Sequence, residues 1–288
     1  MHEVKQLTVI SGKGGTGKTS IVGAFAALAE NKVLADCDVD ASDLHLLLQP
    51  QVKEEHVFRA LQTAVIDESK CVKCGRCAVN CRYGAIKDFR VDGLSCEGCG
   101  VCTLVCPEKA VSMEDKVAGK AFISDTRFGP LCHARLNPGE EASGKLVAVV
   151  RENARRLAAE KGVDLILIDG SPGIGCPVIA SIGGVNLALV VTEPTVSGIH
   201  DLARILDVAE HFGVKPLVCI NKHDLNPEKT REIEGYCQRR SIKVAGKIPY
   251  DRAFTKAMVE GKTVIEYCVD GVSSDIKSMW VTVQKEVL

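Results

Sequence analysis

The strongest constraint on this chain is a pair of cysteine runs that lie between residues 71 and 106. Within each run the cysteines are separated by two, two and three residues, and the second run begins 25 residues after the first. The eight cysteines are Cys71, Cys74, Cys77, Cys81, Cys96, Cys99, Cys102 and Cys106. Gly75 recurs as Gly100, and Ala85-Ile86 recurs as Ala110-Val111. The pattern therefore indicates a duplicated unit.

This spacing resembles that of bacterial ferredoxins with two [4Fe-4S] clusters. The resemblance implies crossed ligation, in which the last cysteine of each run binds the other run's cluster. The implied ligands are Cys71, Cys74, Cys77 and Cys106 for cluster 1, and Cys96, Cys99, Cys102 and Cys81 for cluster 2. Pro107 follows Cys106 as the motif expects, but Arg82 follows Cys81. A cation at that position could raise the potential of its cluster or serve as a docking charge.

Eight cysteines have two other common uses. A disulfide framework needs an oxidising compartment, and Met1 to Lys5 begin the chain with no apolar signal segment behind them. Zinc sites usually place two cysteine pairs at wider separation and do not require the third cysteine after two residues. We favour iron-sulfur clusters and keep zinc as the alternative.

Composition limits the classes of partner. The chain has 288 residues, of which 36 are basic and 37 acidic, and only 4% are aromatic. This balance provides neither the positive field nor the stacking residues of a nucleic-acid-binding protein. No apolar run reaches the roughly 18 residues that a membrane span needs. We expect a soluble, cytoplasmic protein that binds neither nucleic acid nor membrane.

A second motif follows the apolar run Gln6 to Ile10. Residues 11–19 read Ser-Gly-Lys-Gly-Gly-Thr-Gly-Lys-Thr. This matches the P-loop, whose backbone N–H groups and following helix N-terminus hold phosphates. Lys18 would contact the β- and γ-phosphates, and the Thr19 hydroxyl would bind Mg²⁺. The residues predicted to bind ATP here are Gly12, Lys13, Gly14, Gly15, Thr16, Gly17, Lys18, Thr19 and Ser20.

The lysine at position 13 resembles the signature of deviant Walker A ATPases, a family that includes MinD, the Mrp-type cluster carriers and the nitrogenase iron protein. The resemblance implies that Lys13 reaches the phosphates of a partner chain in a nucleotide-dependent homodimer, as an arginine finger does. Residues 36–44 resemble switch I of the same family, and Asp38 matches the carboxylate that orients the attacking water. Lys13, Lys18 and Asp38 are therefore the expected catalytic residues.

Later motifs complete the nucleotide site. Asp169 follows the apolar run Leu165 to Ile168, and the sequence Asp-Gly-Ser-Pro-Gly that it begins is typical of Walker B and switch II. Asp169 is expected to hold Mg²⁺ through water. Asn221 resembles the family's base-recognition residue, and Pro249 lies in an Ile-Pro-Tyr-Asp stretch that in MinD-like proteins lines the adenine pocket.

The residue pattern also predicts the structure of several other segments. Residues 45–65 are predicted to form an amphipathic helix, and residues 129–144 a loop. The tail from Ser274 to Leu288 is predicted to be a helix that packs against the body of the protein. Its apolar face consists of Ile276, Met279, Trp280, Val283 and Val287. Cys132 and Cys176 leave open a third cluster between subunits, because the iron protein has a cluster cysteine at the spacing of Cys176.

The expected fold is a doubly wound, mostly parallel α/β P-loop ATPase formed by residues 1–65 and 115–288. An α+β ferredoxin-like domain at residues 66–114 interrupts it. The expected function is ATP hydrolysis, with Mg²⁺, that drives electron transfer through two [4Fe-4S] clusters to a partner protein. A carrier of clusters or metallocofactors that delivers to an acceptor protein is the alternative, and a positioning ATPase is a third.

Overall fold

The computed structural model describes residues 3–140 and 143–288. The chain divides into two compact units. The larger contains Met1–His56, Ala121–Arg135 and Ser143–Leu288, and the smaller contains Val57–Lys120 and Leu136–Ala142. The smaller unit is thus formed mainly by one continuous stretch that interrupts the larger.

The strands are β1 (Lys5–Ser11), β2 (Lys32–Asp36), β3 (Gln51–Ile66), β4 (Ile86–Lys87), β5 (Arg90–Val91), β6 (Val111–Thr126), β7 (Gly129–Leu136), β8 (Leu165–Pro172), β9 (Leu187–Thr192), β10 (Lys215–Asn221) and β11 (Lys243–Ile248). The helices are α1 (Lys18–Leu28), α2 (Leu44–Leu48), α3 (Arg76–Val79), α4 (Val101–Val105), α5 (Ser143–Lys161), α6 (Cys176–Ile182), α7 (Val196–His211), α8 (Pro227–Arg239), α9 (Ala253–Val259), α10 (Val264–Tyr267) and α11 (Val272–Val287).

The main sheet has the strand order β11-β10-β9-β1-β8-β2-β7-β6-β3. Strand β1 pairs in parallel with β8 on one side and β9 on the other. The pairs β2 with β8, β2 with β7, β9 with β10 and β10 with β11 are parallel as well. The mostly parallel α/β sheet expected from the sequence is confirmed. Ligands of such sheets bind at the carboxyl ends of the strands, where the strand order reverses.

The core forms where helices cover the apolar strands. Strand β8 is buried along Leu165 to Ile168, as its unbroken apolar run predicts. Helix α11 buries the five apolar residues predicted for its inner face. Among them, Trp280 packs its ring 4.8 Å from that of Phe25 on α1. The predicted packing of the tail is therefore confirmed. In the described part of the chain, no helix combines the length and apolar character that crossing a membrane requires.

The helix predicted over residues 45–65 is wrong. Helix α2 ends at Leu48, because Gln49 adopts a left-handed φ of 49° and the next residue is Pro50, which disfavours a helix before it. Strand β3 follows from Gln51. Its buried residues Phe58, Ala60 and Ala64 occur at even spacings, the period of a strand with one covered face.

The loop predicted over residues 129–144 is also wrong in its first half, which is strand β7, and at Ser143 and Gly144, which begin helix α5. Residues 141 and 142 of the predicted loop lie outside the described residues. Pro130 lies near the start of this strand, where a missing backbone donor is tolerated. The strand then buries Leu131, Cys132 and Ala134. Proline and glycine therefore mark the beginning of a buried strand here.

The smaller unit repeats its backbone conformation every 25 residues. Gly75 and Gly100 precede α3 and α4 with φ angles of 76° and 75°. Two further pairs of residues are left-handed at equivalent positions, and in each pair one member is not glycine. These are Lys73 (54°) with Gly98 (65°), and Gly84 (61°) with Lys109 (51°). The duplication seen in the sequence thus extends to the fold.

The packing of α11 predicts the effect of truncating its central side chain. Trp280 is 5% exposed, so Trp280→Ala should lower the free energy of unfolding by about 3–5 kcal/mol through lost burial and a residual cavity. Urea denaturation followed by circular dichroism measures this loss. Val281, 50% exposed in the same helix, provides the control, and Val281→Ala should change stability by less than about 0.5 kcal/mol. Equal losses in the two variants would contradict the packing described here.

Candidate functional site

The P-loop connects the carboxyl end of β1 to the start of α1. Gly17 precedes the helix with a φ of 89°, and a Cβ atom at this position would lie 2.4 Å from Nδ2 of Asn221. A Cβ atom on Gly12 would lie 2.4 Å from Cβ of Asp201. Both positions therefore require glycine, one for its backbone conformation and both for the close approach of a neighbour.

Lys18 lies between two carboxylates at the carboxyl edge of the sheet. Its Nζ is 2.8 Å from Oδ1 of Asp169 and 3.3 Å from Oδ2 of Asp38. Burial lowers the pKa of Lys18, but the two carboxylates outweigh burial and the net shift is upward. The structure thus brings together Lys18, Asp38 and Asp169, three of the residues predicted to act at the nucleotide site.

One carboxylate oxygen in this group fits a metal ion. Oδ2 of Asp169 is buried and has no hydrogen-bond partner among the described residues. Unpaired buried carboxylate oxygens are costly, and hard divalent cations such as Mg²⁺ bind oxygen ligands. Asp169 and the hydroxyl of Thr19, at the start of α1, are the residues that could hold Mg²⁺.

Asp36 shapes the segment that carries Asp38. It is the register partner of Asp169 on the adjacent strand, accepts a hydrogen bond of 2.6 Å from the Ser42 hydroxyl, and accepts one of 3.1 Å from the backbone N–H of Asp38. Burial and the nearby Asp169 carboxylate raise the pKa of Asp36 to about 7. The Ser171 hydroxyl donates to the carbonyl of Cys37 at 2.6 Å, which connects the two predicted switch segments.

Lys13 is held by a residue that the sequence did not single out. Its Nζ forms an ion pair with Glu193 and donates to Oγ of Ser197 at 3.0 Å. Lys222 also pairs with Glu193, at 3.1 Å, and donates to the carbonyl of Gly15 at the same distance. Burial raises the pKa of Glu193, but the bonds from the two lysines outweigh burial and lower it. The signal in the sequence was an acidic residue directly after β9, the strand beside β1.

A cavity of about 530 Å³ adjoins the P-loop and contains the residues predicted to recognise the base. Its walls are Gly17, Ser20, Asn221, Lys222, Pro249, Tyr250, Asp251, Phe254 and Thr255. Nδ2 of Asn221 donates to the carbonyl of Thr16 at 2.7 Å. Asn221 and Pro249 therefore lie in one cavity with P-loop residues.

The eight cysteines of the two runs line two further cavities, of about 340 and 350 Å³. Each cavity has three cysteines from one run and the last cysteine of the other. The first contains Cys71, Cys74, Cys77 and Cys106, and the second contains Cys81, Cys96, Cys99 and Cys102. All fourteen cysteines of the chain are free thiols, which argues against a disulfide framework.

Backbone N–H groups point at several of these sulfurs. The N–H of Ala85 is 3.4 Å from Sγ of Cys81, and that of Ala110 is 3.2 Å from Sγ of Cys106, at equivalent positions of the repeat. Such donors stabilise a thiolate. Within residues 3–140 and 143–288, no three His, Cys, Asp or Glu side chains converge on the position of a single metal ion.

The pair Cys132 and Cys176 is not brought together in a way that suits a shared cluster. Cys132 is fully buried in β7, and burial raises the pKa of its thiol to about 12. Cys176 is exposed at the start of α6. A thiol inside the sheet cannot reach a second subunit, so Cys132 acts as an apolar core residue.

The chain belongs to the CobQ/CobB/MinD/ParA nucleotide binding domain family, whose model matches residues 7–264. MinD and ParA proteins of this family are ATPases. The solved structure of the septum site-determining protein MinD with Mg-ADP from Pyrococcus horikoshii has the same fold, with a TM-score of 0.60, 16% identity, and coverage of 98% of this chain and 97% of that one.

Two curated relatives differ in the extent of their match. The protein named "Uncharacterized protein MJ0578" of Methanocaldococcus jannaschii is 35% identical over 227 residues, 77% of this chain and 80% of the relative. Pyruvate synthase subunit PorD of Methanothermobacter marburgensis is 42% identical over 50 residues, which is 17% of this chain and 62% of that protein.

The close approach of Asn221 to Gly17 predicts the effect of a methyl group at position 17. In Gly17→Ala the left-handed backbone would cost about 1–2 kcal/mol, and the Cβ would displace Asn221. Nucleotide affinity should fall about tenfold or more, measured by titration with a fluorescent ATP analogue.

Gly235→Ala is the control for this substitution. Position 235 lies in α8, where the atom nearest to an added Cβ would be the end of the Arg239 side chain at 3.5 Å. This variant should keep the nucleotide affinity of the parent protein. Unchanged affinity in Gly17→Ala would show that the contact with Asn221 does not shape the nucleotide site.

Proposed function

We propose that this protein is an ATP-hydrolysing iron-sulfur protein, in which a nucleotide-dependent homodimer drives electron transfer through two [4Fe-4S] clusters to a partner protein. The observation that carries the proposal is the pair of cysteine cavities with crossed composition, in a chain that also has a complete P-loop site. The clusters would lie in residues 66–114, the inserted domain of an ATPase formed by residues 1–65 and 115–288.

The nucleotide chemistry follows from the P-loop geometry. Residues 12–20 bind the phosphates, Lys18 neutralises charge on the β- and γ-phosphates, and Asp38 accepts a hydrogen bond from the attacking water. Water adds to the γ-phosphorus as the bond to the ADP oxygen breaks. Thr19 and Asp169 would hold Mg²⁺, which would neutralise part of the developing phosphate charge. Asn221 and Pro249 position the adenine.

The homodimer rests on Lys13. In the single chain Lys13 is paired with Glu193, and contact with a partner chain's phosphates requires it to leave that carboxylate. Its side chain is 29% exposed, against 6% for Lys18, so the exchange needs little desolvation. The nucleotide-dependent dimers of MinD-like proteins support this assignment.

The cysteine cavities support cubanes over zinc. A mononuclear zinc site needs its sulfurs about 2.3 Å from one ion, and the described side chains do not converge in that way. In a [4Fe-4S] cluster each thiolate binds a different iron, so the four sulfurs stay apart. The match to the pyruvate synthase subunit spans about the length of segment 66–114 and is further support.

Electron transfer is favoured over cluster delivery because each cavity provides four thiolates, which leaves no open iron site from which a cluster departs easily.

One observation favours the alternative, a cluster or metallocofactor carrier. Cys74 and Cys99 are exposed, and an exposed ligand is open to exchange with an acceptor protein. A positioning ATPase, the third candidate, gives the eight cysteines no role. The cysteines must also stay reduced in order to bind iron, which requires a reducing compartment such as the cytoplasm.

The decisive test is an anaerobic redox titration monitored by EPR, with ADP and then with a non-hydrolysable ATP analogue. Coupling predicts two low-potential signals, at least one of which shifts between nucleotides. A tenfold difference in nucleotide affinity between the oxidised and reduced protein corresponds to a shift of about 59 mV in the potential of a one-electron couple. Lys18→Ala is the control, because it should keep its iron but lose both ATP hydrolysis and the shift.

The outcomes separate the candidates. EPR signals whose potentials are the same with ADP and with the ATP analogue would favour cluster delivery over electron transfer. Absence of any [4Fe-4S] signal from anaerobically purified protein would return the site to zinc. If Lys18→Ala lost both its iron and its ATP hydrolysis, this substitution would affect the nucleotide site and the clusters together.

The crossed assignment has its own test. Cys74→Ser and Cys106→Ser change different runs but the same cavity, so both should remove the same EPR signal. Cys99→Ser and Cys81→Ser should both remove the other signal. Each single variant should retain about four of about eight irons per chain. If Cys106→Ser instead matched Cys99→Ser, each run would form its own cluster and the crossed assignment would be wrong.

A further inference from the structure

The two cysteine runs share a backbone but differ in charge. Residues 70–87 contain five basic residues and no acidic one, whereas the equivalent residues 95–112 contain two acidic residues and one basic. The basic residues are Lys70, Lys73, Arg76, Arg82 and Lys87, and their equivalents 25 residues later are Ser95, Gly98, Val101, Pro107 and Ser112. None of the five cations has a counterpart in the second copy.

All five cations are exposed. Lys70 pairs with Asp67 at 2.9 Å, and Lys73 shares a cavity with Glu68 and Asp88. For the other three, Arg76, Arg82 and Lys87, no carboxylate lies within 4.0 Å in the part of the chain that the structure describes. These three side chains therefore form no ion pair among the described residues.

Apolar side chains are exposed between the cations. Val72 is 63% exposed, Val79 is 87% exposed and Tyr83 is 48% exposed. Arg76 and Val79 are the first and last residues of α3, three positions apart, and so share a face of that helix. Helix α3 packs against β4, which carries Lys87. Apolar residues with a charged rim are the usual composition of a protein-binding surface. We define Val72, Arg76, Val79, Arg82, Tyr83 and Lys87 as the basic face.

Access to the two proposed clusters does not distinguish them. Cys74 and Cys99 occupy equivalent positions and are both exposed, and Leu104, the equivalent of Val79, is 85% exposed. The difference lies in the charge of the two runs, because the second run presents Glu97, which lines the cluster 2 cavity, and Glu108, which lines the cluster 1 cavity. The same approach is therefore attractive to an anion at one run and repulsive at the other.

We propose that the basic face docks an acidic electron-carrier protein, which exchanges electrons with the chain through the clusters that this face adjoins. The proposal rests on the electron-transfer function above and names the chemistry of one partner. Val72 lines the cluster 1 cavity, Tyr83 lines the cluster 2 cavity, and both side chains are exposed, so a protein seated on the basic face lies against both cavities. Complementary charge accelerates such encounters and makes them sensitive to salt.

Two pairs of substitutions with equal change of net charge test the face. Arg76→Gln with Lys87→Gln removes two positive charges from the basic face. Leu104→Glu with Ser112→Glu adds two negative charges to the second run, at exposed positions. Neither pair changes a cysteine. Iron content and the two EPR signals establish that both variants retain their clusters, and Arg76→Glu with Lys87→Glu provides a stronger form of the first pair.

The measurement is stopped-flow reduction of the oxidised protein by a purified, reduced, acidic two-[4Fe-4S] ferredoxin. The second-order rate constant of the parent protein should fall with ionic strength. At low salt the Gln pair at positions 76 and 87 should be about tenfold slower and the Glu pair at those positions slower still, whereas the control pair at positions 104 and 112 should stay within about twofold of the parent. At high salt the rates should converge. Equal slowing in the Gln pair and the control pair would overturn the proposal.

A second reductant separates this proposal from the one it rests on. Reduced methyl viologen is a small cation and should reduce the clusters of every variant at rates that the basic face does not limit. If methyl viologen reduces no cluster, the electron-transfer function fails. Calorimetric titration with the oxidised ferredoxin then decides the docking alone, because salt-sensitive binding should be lost in the Gln pair and kept in the control pair.

Other occupants of the basic face would also be recognised. Sedimentation of the parent protein tests a second copy of this chain, and flotation with phosphatidylglycerol vesicles tests an anionic membrane. If either association is abolished by the Gln pair while ferredoxin binding is unaffected, the acidic carrier is the wrong occupant.

Discussion

The structure depends on the placement of a buried cation, Lys18, between the carboxylates of Asp169 and Asp38. A buried ammonium is costly unless it is paired, and removing either partner would leave an uncompensated charge. The pairing is possible only because β1, β8 and β2 are parallel neighbours, so that a loop lysine and two strand-end carboxylates meet at one edge. The order of the strands therefore determines which charged side chains meet at the site.

The smaller unit shows which features of a duplicated segment stay fixed. Three pairs of left-handed residues and the N–H donors to Cys81 and Cys106 occupy equivalent positions in the two copies, because the backbone wraps around each cavity in the same way. The exposed side chains are under no such requirement, and there the copies differ in charge.

The predictable parts of this protein are those with local causes. The P-loop glycines, the unbroken apolar run of β8 and the helical face around Trp280 each specify their structure within a few residues. The prediction for residues 45–65 failed because helix α2 continues only to Leu48, and because Phe58, Ala60 and Ala64 are the only buried residues of the long strand β3 that follows. Glu193 follows β9 directly, but this signal has a meaning only once β9 is known to lie beside β1, which the sequence does not reveal.

The two P-loop lysines, Lys13 and Lys18, differ in what their departure would leave unpaired. Glu193 contacts both Lys13 and Lys222. If Lys13 leaves, Glu193 remains paired with Lys222, so no carboxylate is left without a cation. If Lys18 were to leave, Asp38 and Asp169 would face each other without a positive charge between them. In the proposed homodimer, Lys13 would move to reach the partner chain, and its departure is the one that is compensated, whereas Lys18 is held from two sides. Lys222, which provides this compensation, also donates to the carbonyl of Gly15 in the P-loop and lines the cavity that contains Asn221 and Pro249.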